Sequence, residues 1–382
     1  MVPLGEVAEI ERKGVAPDGL PPETPYLGLE HIERGGRVLG RSSVGEADLK
    51  STKFYFTERH VLYGKLRPNL GKISRPDFAG VCSTDILPIQ PGPNLDRGFL
   101  AHYLAQPTIV DFAASRATGA NLPRLSPASL SQIPVPLPPL DEQRRIAAIL
   151  DQTDALRAKR REVLAHLNTL TQSIFHDMFG EPSSWSGRWS MGTIGEMVES
   201  VQYGSASKAG SNGEWAILRM GNVTDDGFLD LSDLKYLDLT DSDLPKYTVR
   251  RGDLLFNRTN SKEKVGKAAV VRTDEPLAFA GYLLRARFKS GFAPEFVSAY
   301  LGSTHGRATR RCLAKEAVNQ ANISATEFRK IPIAMPPADL QAEFAARIEE
   351  IIRRRQAGER AITTTDTLFA SLQSRAFNGG LS

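Results

Sequence analysis

The sequence predicts a mixed α/β protein of two globular domains joined by two long antiparallel coiled-coil helices, one unit written twice with pseudo-two-fold symmetry. Three observations predict it: a long-period internal repeat, short β-branched and aromatic runs in the middle of each copy, and a 3.5-residue apolar step closing each copy. The repeat comes first. "IPVPLPPLDEQRRIAAIL" at 133–150 returns as "IPIAMPPADLQAEFAARI" at 331–348, and this offset of 198 holds without a gap from Gly119/Ala317 to Phe179/Phe377. Asn121 falls on Asn319, Ser126 on Ser324, Pro138 and Pro139 on Pro336 and Pro337, and Gln143 on Gln341. Nearer the start, "LGEVAEI" (4–10) echoes "IGEMVES" (194–200) at an offset of 190, and "VLYGKLRPNLGKI" (61–73) faces "LLFNRTNSKEKVGKA" (254–268) with small insertions. A period this long signals duplicated domains rather than a solenoid.

The middle of each copy reads as many short strands. "TKFYFTE", "HVLYGKL" and "VCSTDILPI" in the first, and "WAILRM", "GDLLFN", "KAAVVR" and "YLLRARF" in the second, are aromatic and β-branched runs broken by Gly, Pro and Asp. "RGFLAHYLAQPTIVDFAAS" and "PEFVSAYLGSTHGRATRRCL" are the helical pieces. The Pro-rich "IPVPLPP" is a rigid extended connector. After it, Asp141 and Asp339 read as N-caps of long helices. In the first helix Ile149, Thr153, Leu156, Arg160, Val163, Leu167, Leu170 and Ile174 step by alternating four and three. In the second, Phe344, Ile348, Ile351, Arg355, Gly358, Ile362, Thr365, Phe369 and Leu372 do the same. That spacing is a coiled-coil seam. Each seam is flawed at its middle, by Arg160 and by Arg355 with Gly358, so each helix needs a partner and the other is the obvious one.

The boundaries that follow are a first domain over 1–140, a central helix over 141–180, a second domain over 181–338 and a last helix over 339–382. "EPSSWSGRWS" (181–190) reads as a linker at the seam between copies. Antiparallel packing would return the second helix to the first domain and make a dumbbell. About 38 residues at 1.5 Å each give a bar of roughly 57 Å, between one and two turns of B-DNA.

Bulk properties exclude more than they assign. The 382 residues suffice for two cores, and no run approaches a membrane span. The start lacks a signal-peptide pattern, and two cysteines outside any metal-ligand spacing fit a reducing compartment, so the expected location is cytoplasmic. The net charge of +4 divides as +1 over 1–140, 0 over 141–180, +3 over 181–338 and 0 over 339–382, so the basic excess sits in the two middles. No phosphate loop, HExxH, CxxC or GxSxG motif occurs, nor an adenosylmethionine-binding glycine motif, and the six histidines form no ligand pair. No catalytic residue and no metal ligand is assigned.

Binding features are stronger. Lys65, Arg67, Asn69 and Lys72 crowd one turn-rich loop after a strand, and Asn257, Arg258, Asn260, Lys262, Lys264 and Lys267 crowd its counterpart. Arg and Asn make bidentate contacts to guanine and adenine edges, while Lys mainly meets phosphate. A second candidate segment precedes the proline run, with Arg116, Asn121 and Arg124 in the first copy and Lys315, Asn319, Gln320 and Asn322 in the second. The polar loops occupy matching places yet carry different residues, which suits two readers of different sequences.

These residues resemble a known family along essentially the whole chain: the specificity subunits of type I restriction–modification systems. The resemblance is carried by the paired "PPLDEQ" and "PPADLQ" helix openings, the helix ends "QSIFHDMFG" and "LQSRAFNG", and the "LGEV", "VLYGKLRP" and "DLLFNRTNS" pieces. The second opening departs from the first at Ala338 and Leu340. The resemblance implies two target-recognition domains, each reading one half of a split double-stranded DNA site, with the helices setting the gap. It implies docking of two methyltransferase subunits and of a translocase-nuclease subunit, and no catalysis by this chain. No cofactor is expected here; adenosylmethionine, ATP and Mg would belong to the partners. Two rivals are a protein-assembly adaptor without sequence-specific DNA binding and a self-contained nuclease or methyltransferase.

Overall fold

A computed structural model describes residues 1–317 and 320–377. The chain forms two compact units: Met1–Arg161 together with the chain from Ala361 on, and Glu162–Arg360. Two 40-residue helices, Leu140–Phe179 and Ala338–Phe377, each contribute to both units.

In unit 1, strands Ala8–Ile10, Ile86–Pro91, Val61–Gly64 and Ile73–Ser74 form an antiparallel sheet in that order. A five-stranded sheet runs Gly14–Val15, Lys53–Phe56, Gly80–Cys82, Pro25–Leu27, Ser42–Ser43, with Gly80–Cys82 and Pro25–Leu27 parallel. Val61–Gly64 explains why "VLYG" has no polar face. Successive side chains of a strand point to opposite sides; Val61 and Tyr63 enter the core with Phe99, Leu100 and Leu104, while Leu62 enters a second core with Leu27, Phe56 and Ile86. Unit 2 repeats the device. Strands Val198–Tyr203, Leu283–Phe288, Leu254–Asn257 and Ala268–Val270 make the matching sheet; Leu254 and Phe256 face one core and Leu255 the other. Its second sheet, Lys235–Leu237, Trp215–Leu218, Leu277–Phe279 and Thr248–Val249, keeps the parallel pair.

The repeated phrase is a clamp in each unit. The buried Gln143 side chain accepts from Asp96 N through Oε1 (2.8 Å) and donates through Nε2 to Asn94 O (2.9 Å) and Pro138 O (2.8 Å). Gln341 does the same with Ala293 N (3.1 Å) and Pro336 O (2.8 Å). Each glutamine ties a long helix to its own domain by satisfying backbone groups that would otherwise be orphaned. Asp141 and Asp339 lie inside the first helical turn rather than at the N-cap, since the helices begin at Leu140 and Ala338. There their charge still favours the positive helix end.

Within unit 1 the two helix segments run antiparallel. Ile146, Ala147 and Leu150 share a core with Phe369, Leu372, Ala376 and Phe377. Arg157 reaches Asp366 through Nε (2.7 Å) and lies 4.4 Å over the Phe369 ring, and Arg160 hydrogen-bonds to Thr365 and the Ala361 carbonyl. Burial alone would raise the Asp366 carboxyl, but Arg157 and Arg161 override it and hold the pKa below the ordinary carboxylate range. In unit 2 the segments are again antiparallel: Phe175 and Phe179 pack on Phe344. Gly358 faces Leu164, whose Cδ1 would sit 3.9 Å from an added Cβ. Arg355 pairs with Asp226 (2.9 Å) and stacks 4.1 Å over Phe228.

The seam of the first helix needs correction. Leu156, Val163 and Leu170 are 44%, 56% and 38% exposed, and Ile149, Leu167 and Ile174 are half-buried. Of the predicted seam, Arg160 bonds across the pair and Leu167 and Ile174 pack on the unit 2 core, while Ile146, Leu150, Arg157, Leu164, Phe175 and Phe179 supply the rest of the packed face. Counting apolar letters favoured Leu156 and Val163, whereas the contact uses arginines that hydrogen-bond across it. In the second helix Phe344, Ile348 and Ile351 are buried, and Ile362, Phe369 and Leu372 half-buried. The linker expectation at 181–190 is also corrected. Trp185 is buried against Phe296 and Tyr300, and its Nε1 donates to Phe179 O (2.9 Å).

Candidate nucleic-acid interface

The two candidate segments of each unit, far apart in sequence, meet in space. In unit 1 the loop after Val61–Gly64 is closed by Gly64 N donating to Lys72 O (2.8 Å). Its start is held by Lys65 N to Asp85 O (2.9 Å) and its middle by Arg67 N to Pro123 O (2.7 Å). Leu66 bridges Arg124, Thr118 bridges Arg124, and Leu125 N donates to Lys65 O (2.9 Å). Unit 2 builds the same element as a three-stranded sheet of Thr259–Asn260, Gln320–Asn322 and Lys315–Ala317. Asn257 N donates to Lys267 O (2.7 Å), Arg258 N to Tyr282 O (3.0 Å) and Ile323 N to Arg258 O (2.9 Å). The hydrogen bonds therefore match Lys65 to Arg258, Lys72 to Lys267 and Asp85 to Tyr282.

The candidate residues differ in what remains free. Arg67 sits at φ 50°, ψ 63°, opening the turn Pro68–Leu70; it is exposed, and its guanidinium has no partner among the described residues. A left-handed backbone costs a non-glycine residue about 1–2 kcal/mol, so the fold holds this arginine outward against a local preference. Asn69 and Asn121 are exposed, and Lys65 is half-buried. Lys72 Nζ is bound to Leu29 O (2.7 Å). Arg116 is exposed and stacks on Phe112 at 3.4 Å. Arg124 gives Nε (2.9 Å) and Nη2 (3.2 Å) to Asp85, whose hydrogen bonds and charge raise the guanidinium pKa further.

In unit 2 Lys262, Lys264 and Gln320 are exposed, and Asn260 accepts from Ser261 N (2.9 Å). Arg258 stacks 4.9 Å over Tyr203 and donates to Asn322 Oδ1 (3.1 Å), while Asn322 Nδ2 donates to Thr259 (3.1 Å). Lys315 pairs with Glu327 (2.8 Å). Asn319 lies outside the described residues. Two assignments are corrected. Asn257 is fully buried, with its Nδ2 on Met220 O (3.3 Å), because the strand runs one residue further than the loop reading allowed. Lys267 is nearly buried in an ion pair with Asp225 (2.8 Å), so neither side chain is available to a ligand.

Sequence reasoning passed over Asp85, Tyr282 and Tyr203. The signal for the first two was present: each immediately precedes matching strands, Ile86–Pro91 and Leu283–Phe288. Among the described residues no group of three or more His, Cys, Asp and Glu could hold a metal, and no helix is long and apolar enough to cross a membrane.

Residues 1–166 match the type I restriction modification DNA specificity domain family. The chain is 26% identical over 313 residues to the type I restriction enzyme EcoKI specificity subunit of Escherichia coli K12, covering 77% of this chain and 67% of that one. It is 32% identical over 221 residues to the EcoDI specificity subunit of Escherichia coli, covering 54% and 49%. The chain thus spans about half to two thirds of the length of these relatives. A solved type I restriction-modification S subunit from M. genitalium shares the fold at 13% identity and TM-score 0.61, over 98% of this chain and 95% of that one. A chain of a type I restriction-modification assembly does so at 18% and 0.58, over 98% and 96%.

Proposed function

We propose, from the match of residues 1–166 to the DNA specificity domain and the likeness to type I specificity subunits, that the chain selects an asymmetric, bipartite double-stranded DNA site. Each unit reads one half-site, and the long helices set the spacer between them. The observation that carries this reading is the paired loop element. Both units join two polar segments by the same backbone hydrogen bonds, yet present Arg67, Asn69 and Arg124 in one and Arg258, Asn260 and Gln320 in the other. A shared frame with unlike donors suits two readers of two sequences. Engaging one half-site makes the second contact intramolecular, so two short contacts suffice for selectivity.

The chain performs no chemistry in this reading. Two methyltransferase subunits dock on it, translocase-nuclease subunits join for cleavage, and adenosylmethionine, ATP and Mg are held by those partners. Apolar exposure on the helices supports docking. Unit 1 exposes Leu156 and Leu368, and unit 2 has an open groove of about 670 Å³ floored by Leu167, Leu170, Ile174 and Ile351. The test is sequencing of methylated bases in cells carrying this chain with its methyltransferase. Modification at a split, non-palindromic motif is expected; modification without sequence preference would reject the reading.

A further inference from the structure

The two units place unlike side chains at one topological position beside the loop element. The Asp85 carbonyl accepts from Lys65 N, and the Tyr282 carbonyl accepts from Arg258 N. Arg124 and Asn322, matched by the 198-residue offset, complete each constellation.

The side chains do different chemistry. Asp85 takes Nε and Nη2 of Arg124 and fixes an exposed guanidinium that would otherwise sample many rotamers. Only one edge of the guanidinium is used in this pair; Nη1 meets the Leu122 carbonyl at 3.4 Å. Of the five N–H groups two go to Asp85 and one to Leu122, and the remaining one on each of Nη1 and Nη2 supplies the fork that guanine O6 and N7 accept. Unit 2 has no carboxylate at this position. Tyr282 is 49% exposed, with no ring or side-chain hydrogen-bond partner among the described residues. It rims a groove of about 940 Å³ that it shares with Arg258, Lys208 and Lys235. Lys208 and Lys235 carry no ion pair among the described residues, and Arg258 Nε is buried without a partner. Asp230 and Asp233 also line the groove but are turned to Ser232 N and Arg219.

We infer that Asp85 and Tyr282 set which base each unit accepts. Asp85 is a positioning residue that holds Arg124 toward a guanine. Tyr282 is a contact residue at the mouth of a groove that receives the other half-site, its ring set against a thymine methyl or its hydroxyl against a base edge. The inference rests on the DNA-selecting function proposed above.

The experiment expresses the full chain with its methyltransferase partner in a host without competing modification and sequences the methylated sites. Asp85→Asn and Arg124→Gln are expected to relax the same single base pair of one half-site by about tenfold, with the other half-site intact. Tyr282→Ala is expected to relax one base pair of the other half-site only, and Tyr282→Phe separates hydroxyl from ring. Thermal melting of each purified variant confirms folding, and Asp85→Ala replaces any Asp85→Asn protein that does not fold. A wild-type motif retained in full by folded Asp85 and Tyr282 variants overturns the inference alone. A wild-type chain with no sequence preference overturns the parent reading as well.

Discussion

Replacing Arg67 separates stability from recognition. At φ 50° the residue occupies a region that costs an L-residue about 1–2 kcal/mol, while glycine loses about 0.5–1 kcal/mol more chain entropy on folding. Arg67→Gly should therefore be more stable than Arg67→Ala by about 0.5–1 kcal/mol. For a unit of this size that is a difference of about 1–4 °C in melting temperature. The exposed guanidinium has no hydrogen-bond or ion-pair partner among the described residues, so the alanine variant should melt close to wild type. Recognition should fall equally in both, by about 1–3 kcal/mol at one base pair of one half-site. The assays are thermal denaturation and competition between the preferred half-site and its single-base variants. An alanine variant more stable than the glycine variant would refute the strain argument, and discrimination retained by both would refute the placement of Arg67 on DNA.

Gln143→Ala should cost about 3 kcal/mol and Gln341→Ala about 2 kcal/mol, following three and two backbone hydrogen bonds; hydrogen exchange at each junction measures both. The Glu327 carboxyl is held at about 2 by hydrogen bonds from Lys315 and from the Ser324 backbone and side chain. A depressed pKa adds stability above the ordinary carboxylate value of 4.5 that is lost as pH falls toward about 2. Lys315→Ala should raise the Glu327 pKa in an NMR titration and shrink that acid-side loss; an unmoved pKa would deny the ion pair. Deleting seven residues from both long helices should shorten the preferred gap between half-sites by about 10 Å, or roughly three base pairs. An unchanged gap would show that the helices set no spacer.

Much of this architecture is written in local letters, and the exceptions are physical. The offset of 198 places Gln143 and Gln341 in equivalent clamps and Ser126 and Ser324 in equivalent helix caps, because the same local sequence solves the same backbone problem. The division of Val61–Gly64 between two cores is not legible, since an unbroken apolar run does not say what covers each face. The first helix misleads because its packed middle uses Arg157, a polar letter that an apolar count assigns to solvent, and because Arg160, which reads as a flaw in the seam, hydrogen-bonds across it. Asn257 misleads for the opposite reason, a polar side chain at a strand end taken into the core. Both candidate loop segments are visible in sequence, but their union across some fifty intervening residues is a matter of strand pairing. Asp85 and Tyr282 stand just before matching strands in the sequence, but their place beside the loop element follows only from that pairing.

The central claim is that two unlike readers on one chain choose a split DNA site, and sequencing of methylated bases after domain exchange tests it most directly. Replacing residues 181–338 with the corresponding segment of a different specificity subunit should change one half of the methylated motif and leave the other half and the gap as they were. A motif that changes in both halves together, or in neither, would contradict the account.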